Sequence, residues 1–127
     1  MNKLPVIIIV AIILAVAVFF LWYSSAAKAP VNPAIPEEIV LFYGDGCPHC
    51  KIVDDFVLQN KVEEKLTFKH LEVWNNKENQ ILLGQIVEKC SIVADQVGVP
   101  FLYDGAGKCY MGDVDVINFF KEKTGIK

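Results

Sequence analysis

Two kinds of hydrophobic pattern divide the chain. From Leu4 to Trp22 nearly every residue is apolar and none is charged. At about 1.5 Å per residue, a helix of this length crosses the roughly 30 Å hydrocarbon core of a bilayer. Beyond residue 36 the apolar positions fall into short runs and periodic stretches separated by polar residues and glycine. We therefore expect a transmembrane anchor and linker over residues 1–36, and one folded domain over residues 37–127.

The N-terminal apolar run has two interpretations. A cleaved secretory signal is one, since Ala27-Lys28-Ala29 has the small-x-small form of a cleavage site, but a signal core is usually about 7–15 residues long. This run is longer and ends at Trp22 and Tyr23, residue types that lie at membrane interfaces. We favour an uncleaved anchor followed by an Ala- and Pro-rich linker over residues 24–36. Lys3, before the span, predicts a single-pass protein whose N-terminus is cytoplasmic and whose domain is extracytoplasmic.

Strand-like and helix-like patterns alternate in the first half of the domain. Ile39–Tyr43 is apolar at every position, which is typical of a strand buried on both faces. Pro48 is suited to the first position of a following helix. Leu66–Val73 predicts a second strand, and Asn75 or Asn76 can cap a second helix. The residues expected on the apolar face of that helix are Leu83, Ile86, Val87 and Cys90.

The second half of the domain predicts a hairpin and a last helix. Pro100–Tyr103 and Lys108–Met111 flank an Asp104-Gly105 turn signal. Asp113 is expected to cap the last helix and Gly125 to end it. The residues expected to face inward from this helix are Val116, Ile117 and Phe120. The resulting order is βαβαββα, an α/β fold with a mixed four-stranded sheet and helices on both faces.

Charge composition excludes one class of partner. Residues 37–127 contain ten lysines and fifteen carboxylates, a net charge of −5, and the chain has no arginine. Bidentate recognition of phosphate or guanine depends on arginine, and no lysine-rich run replaces it here. We therefore expect no nucleic-acid partner.

The clearest chemistry lies in Cys47-Pro48-His49-Cys50, where a predicted strand gives way to a predicted helix. The free N–H groups and partial positive charge of a helix N-terminus favour a thiolate over a thiol. Because the thiolate is the species that attacks disulfides, we expect Cys47 to attack and Cys50 to resolve the mixed disulfide. Pro48 and His49 would tune the pair, and a protonated His49 beside the thiolate would make the disulfide more oxidising.

These features together resemble the thioredoxin superfamily over residues 37–127: the βαβαββα order, the Cys-x-x-Cys sequence after the first strand, and Val99-Pro100 about fifty residues later. The resemblance implies a cis proline at Pro100 beside the cysteines, and a backbone at Val99 that hydrogen-bonds an extended substrate. The small size is closer to a glutaredoxin or a minimal thioredoxin, and the Pro-His dipeptide resembles that of the DsbA-type disulfide oxidases. The only redox group implied is the Cys47–Cys50 disulfide, with no separate cofactor.

The state of the remaining cysteines, Cys90 and Cys109, has several interpretations. They could complete a four-cysteine zinc site, but they form no second short knuckle. They could be buried free thiols, a second redox pair that relays electrons, or a structural disulfide. We favour the disulfide, which would close a loop of about twenty residues and stabilise the domain by roughly 3 kcal/mol. His70 and Trp74 are assigned to packing.

Two classes of function fit these residues. The first is a membrane-tethered thiol–disulfide oxidoreductase that acts on protein or small-molecule thiols and disulfides outside the cytoplasm, with a membrane redox partner as a further option. The second is a non-enzymatic protein, either a carrier that binds Cu(I) through Cys47 and Cys50 or a thioredoxin-like scaffold. We favour the enzyme. Whether it oxidises, reduces or isomerises disulfides depends on its potential relative to its compartment.

Overall fold

The computed structural model describes residues 3–24 and 33–127 and divides the chain into two units, residues 1–31 and residues 32–127. The first unit contains helix α1, Leu4–Ser24. The described side chains of α1 are exposed all along it, and Leu4–Tyr23 is long and apolar enough to cross a membrane. A membrane anchor and a signal sequence both have these properties. The Ala27-Lys28-Ala29 sequence and most of the expected linker lie outside the described residues.

The second unit has the predicted βαβαββα order. Its strands are β1 (Val40–Tyr43), β2 (Lys69–Glu72), β3 (Phe101–Tyr103) and β4 (Cys109–Met111). Its helices are α2 (Pro48–Gln59), α3 (Lys77–Lys89) and α4 (Asp113–Thr124), with single 3₁₀ turns at Val62–Glu64 and Ala94–Gln96. The sheet order is β2-β1-β3-β4, in which β1 pairs with β2 in parallel and the other pairs are antiparallel. The predicted fold class is confirmed, and the domain is thioredoxin-like.

Side chains on the two faces of the sheet form two separate hydrophobic clusters. Alternate residues of β1 enter different clusters because successive side chains of a strand point to opposite faces. Val40 and Phe42 pack with α3 residues such as Ile86. Leu41 packs on the other face with residues of α2 and α4, among them Val53. Helices therefore cover both faces, as predicted for a sheet whose central strand is apolar throughout.

Several element bounds differ from the predictions. The second strand begins at Lys69 and not at Leu66, because the backbone N–H of Leu66 bonds to the carbonyl of Val62 and belongs to the preceding turn. Helix α4 has Gly112 as its N-cap, with φ of 88°, and Asp113 is its first residue. The carboxylate of Asp113 therefore does not cap the helix and is available to another partner.

Cys90 and Cys109 form a disulfide. Cys90 follows the last turn of α3 as its C-cap, and Cys109 begins β4. The bond joins residues 19 positions apart, with a Cα–Cα distance of 6.2 Å. It therefore ties the helix on one face of the sheet to the strand at the sheet's edge.

Reducing this disulfide is expected to lower the free energy of unfolding by about 3 kcal/mol, because the open chain gains conformational entropy when it unfolds. The measurement is urea unfolding of a Cys47→Ser, Cys50→Ser variant, in which only the Cys90–Cys109 bond responds to reductant. The same variant without reductant is the matched control. A change below about 0.5 kcal/mol would contradict a stabilising role for the bond.

Candidate active site

A short loop holds Cys47 at the end of the central strand. The backbone N–H of Cys47 donates to the carbonyl of Gly44 at 3.1 Å, and Gly46 has a φ of +79°, a conformation that favours glycine. Cys47 is the N-cap of α2 and has extended backbone angles. Pro48 follows at the first helical position, where a missing N–H removes no helical hydrogen bond. The sequence thus places the start of α2 at Cys47.

The two sulfurs have different surroundings. The Sγ of Cys47 accepts a hydrogen bond from the backbone N–H of Cys50 at 3.4 Å. Both cysteines are free thiols in this structure, and Cys47 is 7% exposed while Cys50 is 2% exposed. A helix N-terminus and a direct N–H donor both favour a negative charge on Cys47. Cys47 is therefore suited to attack, and Cys50 lies one turn deeper.

Cys50 is held as a thiol by its environment. Burial raises the pKa of the Cys50 thiol to about 12, and its hydrogen bond with Cys47 and the charges of Cys47 and Asp54 act in the same direction. A backbone hydrogen bond to Gly44 opposes them. Cys50 therefore carries its proton at neutral pH.

Val99 and Pro100 lie beside Cys47. The peptide bond between them is cis. The thiol of Cys47 donates to the carbonyl oxygen of Val99 at 3.6 Å, across 52 positions of sequence. The carbonyl of Pro100 accepts a hydrogen bond from Gly112 at 2.9 Å. The structure thus brings together the cysteine pair, the segment before β3 and the turn before α4.

His49 has a partner that the sequence analysis missed. Its Nδ1 lies 2.9 Å from Oδ1 of Asp113, a residue 64 positions away. The side chain of His49 is 66% exposed and that of Asp113 is 24% exposed. The sequence signal is an acidic residue directly after Gly112, at the first position of α4. The sequence pattern there predicts a helix cap and gives no indication of a contact with His49.

A second pair of a carboxylate and an imidazole joins α2, at Asp54, to β2, at His70. The Nε2 of His70 is 3.4 Å from Oδ1 of Asp54, and the His70 and Tyr43 ring centroids are 4.2 Å apart. Burial lowers the pKa of His70, while the charges of Asp54 and Glu63 act against that shift. The packing assignment of His70 was therefore incomplete, because the residue also pairs with a carboxylate that acts on Cys50.

An apolar groove of about 340 Å³ adjoins the site. Its lining combines the loop after β2, one face of α3 and the segment before β3: Val73, Trp74, Gln80, Leu83, Gly84, Val87, Ala94, Val97, Gly98 and Val99. Trp74, which we expected to have a packing role, is 53% exposed. Its ring lies against Gly44, where an added Cβ would come within 2.2 Å of the indole. Gly44 therefore allows the indole to lie beside the cysteine loop.

Metal-ligand geometry is absent from residues 3–24 and 33–127, where no group of three or more His, Cys, Asp or Glu side chains is placed to hold an ion. The sulfurs of Cys90 and Cys109 are bonded to each other. They are therefore not available to complete a four-cysteine zinc site with Cys47 and Cys50.

No family model, curated protein or solved structure matches the chain. The thioredoxin-like description follows from the chain's own geometry, namely the β2-β1-β3-β4 order with flanking helices. The close cysteine pair at the end of β1 is consistent with thiol redox activity.

Alkylation of the reduced protein is expected to occur at Cys47 well before Cys50. A thiol with a pKa of about 12 has a thiolate fraction on the order of 10⁻⁵ at pH 7, and Cys50 is also less exposed than Cys47. A short pulse of iodoacetamide at pH 7, followed by peptide mass analysis, measures the ratio. The same pulse on chain unfolded in urea is the control, in which both cysteines should react alike. Equal labelling in the folded protein would contradict the asymmetry.

Proposed function

We propose that the protein is a membrane-tethered thiol–disulfide oxidoreductase that acts on protein or small-molecule disulfides outside the cytoplasm. The observation that carries the proposal is the asymmetric cysteine pair at the start of α2. Cys47 accepts an N–H bond at a helix N-terminus, and Cys50 is a buried thiol with a raised pKa. An attacking thiolate with a protected second thiol is what sequential disulfide exchange requires.

The reaction proceeds in two exchanges. The Cys47 thiolate attacks one sulfur of the substrate disulfide, the substrate S–S bond breaks, and the other substrate sulfur leaves as a thiolate that takes a proton. Cys50 then loses its proton and attacks Cys47 Sγ, which breaks the mixed disulfide and releases the second substrate thiol. Two electrons pass from the cysteine pair to the substrate, and the Cys47–Cys50 disulfide forms. The reverse sequence oxidises a substrate dithiol.

The surroundings of Cys47 support binding of an extended substrate. The carbonyl oxygen of Val99 is 3.6 Å from the attacking sulfur, so a substrate backbone N–H could bond to it beside the reacting atoms. Val99 also lines the apolar groove next to Trp74. We therefore propose Val99 and Pro100 as substrate-binding residues, and Cys47, Pro48, His49 and Cys50 as the catalytic sequence.

Substitution of each cysteine in turn tests the enzymatic role. Cys47→Ser is expected to abolish exchange with glutathione disulfide, because no attacking sulfur remains. Cys50→Ser is expected to accumulate a mixed disulfide at Cys47, because the resolving thiol is missing. Mass analysis of the intact chain after acid quenching detects both results.

The matched control is the Cys90→Ser, Cys109→Ser double variant, which should still exchange at the Cys47–Cys50 pair. Exchange that survives Cys47→Ser would contradict the proposed mechanism. Stoichiometric Cu(I) binding by a chain that does not exchange would favour the metal carrier.

We propose that α1 tethers this domain to a membrane. Its apolar side chains are exposed along the whole helix, which in water would leave a large unburied surface. Trp22 and Tyr23 lie near its C-terminal end, and the Phe19 and Tyr23 rings are stacked. Aromatic residues at the end of an apolar helix are typical of a membrane interface.

In cells that express the chain, we expect α1 to remain uncleaved and to hold the protein in the membrane. The protein should stay in the membrane pellet after alkaline carbonate washing, and its intact mass should include residues 1–36. A chain lacking residues 2–23 is the control and should be released by the wash. An intact mass that matches a chain starting shortly after residue 29 would instead identify a cleaved signal sequence.

A further inference from the structure

A glycine in the interior of helix α3 lines the apolar groove beside Cys47. Gln80, Leu83, Gly84 and Val87 all belong to the lining, and their spacing of three and four residues places them on one face of the helix. Gly84 is exposed, so the helix backbone itself borders the groove at this point. A side chain at position 84 would extend into the space that the groove leaves open.

Neither packing nor backbone conformation requires a glycine at position 84. A Cβ added there would have no heavy atom within 4 Å in the part of the chain that the structure describes, and the φ of Gly84 is not in the left-handed region. Glycine also destabilises a helix interior relative to alanine. The groove is the feature that the missing side chain affects, since a larger residue would reduce its volume of about 340 Å³.

The lining and the position of the groove determine what it can bind. None of the described residues that line it is charged, so a charged group placed there would lose its hydration without gaining a partner. An apolar side chain would instead be stabilised by burial. Val99 belongs to the lining, and its carbonyl oxygen lies 3.6 Å from Sγ of Cys47. An occupant of the groove therefore lies next to the attacking sulfur.

We propose that Gly84 is a specificity-determining residue, which keeps the groove open for a bulky apolar side chain close to the reacting cysteine of a polypeptide substrate. This inference rests on the proposed thiol–disulfide exchange at Cys47. The groove favours an apolar segment, of the kind that unfolded proteins expose, over glutathione, whose carboxylates and ammonium group find no charged partner in the lining. Its volume is near the lower end of the range of about 300–1,000 Å³ for small-ligand sites, which suits one or two side chains.

The test compares two peptide substrates of the reduced full chain in detergent. Each peptide has one cysteine joined by a disulfide to 5-thio-2-nitrobenzoate, with a pair of leucines or a pair of serines on each side. Cys47 attacks the peptide sulfur, and the nitrobenzoate thiolate leaves with the electron pair because its thiol has the lower pKa. Cys50 then attacks Cys47 Sγ, and the peptide sulfur leaves and takes the proton of Cys50. Two electrons pass to the substrate, and absorbance of the released thiolate gives the rate constant.

The unsubstituted chain is expected to react about tenfold faster with the leucine peptide than with the serine peptide, an effect typical of small apolar groups in a hydrophobic pocket. Gly84→Leu is expected to lower this ratio below about threefold, because the added side chain occupies the groove. The rate of Gly84→Leu with the mixed disulfide of glutathione and nitrobenzoate should stay within about twofold of the unsubstituted chain, since glutathione does not use the groove. Partitioning of the leucine peptide into detergent is the same for every variant and does not affect the comparison.

Two further variants separate this role from effects on folding and on surface hydrophobicity. Gly84→Ala adds a single methyl group and should keep at least about half of the ratio, while its urea midpoint of unfolding rises because alanine is favoured over glycine in a helix. Gln59→Leu adds an exposed leucine at the end of α2, outside the groove lining. It should leave the ratio unchanged.

The outcomes distinguish the inference from the function on which it rests. If the unsubstituted chain releases no nitrobenzoate from any substrate, the proposed function fails and the inference fails with it. If it reacts equally fast with both peptides, or if Gly84→Leu keeps the full ratio, the inference alone is overturned. An equal loss of the ratio in Gln59→Leu also overturns it, as does a lower stability of Gly84→Ala, which would give the glycine a structural role. A changed oligomeric mass of Gly84→Leu with an unchanged ratio would instead assign the groove to contacts between copies of the chain.

Discussion

The burial of the central strand is the constraint on which the site depends. Val40, Leu41 and Phe42 are at most 1% exposed, and β1 is bonded to β2 on one side and β3 on the other. A strand held on both edges and both faces has one position, so its carboxyl end is fixed relative to the helices that cover it. The loop after β1 is short, so Cys47, four residues after Tyr43, is also held in place.

The proposed chemistry depends on differences in solvent exposure and electrostatic surroundings between two sulfurs one helical turn apart. Cys47 receives a backbone N–H at the helix start, while burial raises the pKa of Cys50 to about 12. Equal surroundings would leave the choice of attacking sulfur undefined. The helix start and the sheet core thus give the two sulfurs different surroundings, which supports the proposal that Cys47 attacks and Cys50 resolves.

The Cys90–Cys109 disulfide and the Cys47–Cys50 pair lie beside opposite ends of the β3–β4 hairpin. Cys109 pairs in register with Tyr103, the last residue of β3, whereas Val99 and Pro100 precede its first residue and lie beside Cys47. The Cys90–Cys109 bond therefore stabilises the hairpin away from the reacting sulfurs. This separation would let one pair of cysteines support the fold while the proposed redox pair changes oxidation state.

Local sequence by itself determined the elements of the domain and pointed to Cys47 and Cys50 as the candidate redox pair. Apolar periodicity predicted every strand and helix of the domain, and the Cys47–Cys50 spacing with Pro48 indicated a helix start, because these signals operate over three or four residues. The tertiary structure decided the contacts between distant residues, across 52 positions for Cys47 and Val99 and 64 for His49 and Asp113. The half-exposed indole of Trp74 over Gly44 belongs to the same group. No local pattern encodes such contacts, since they exist only when packing of the helices on the sheet brings separate element ends together.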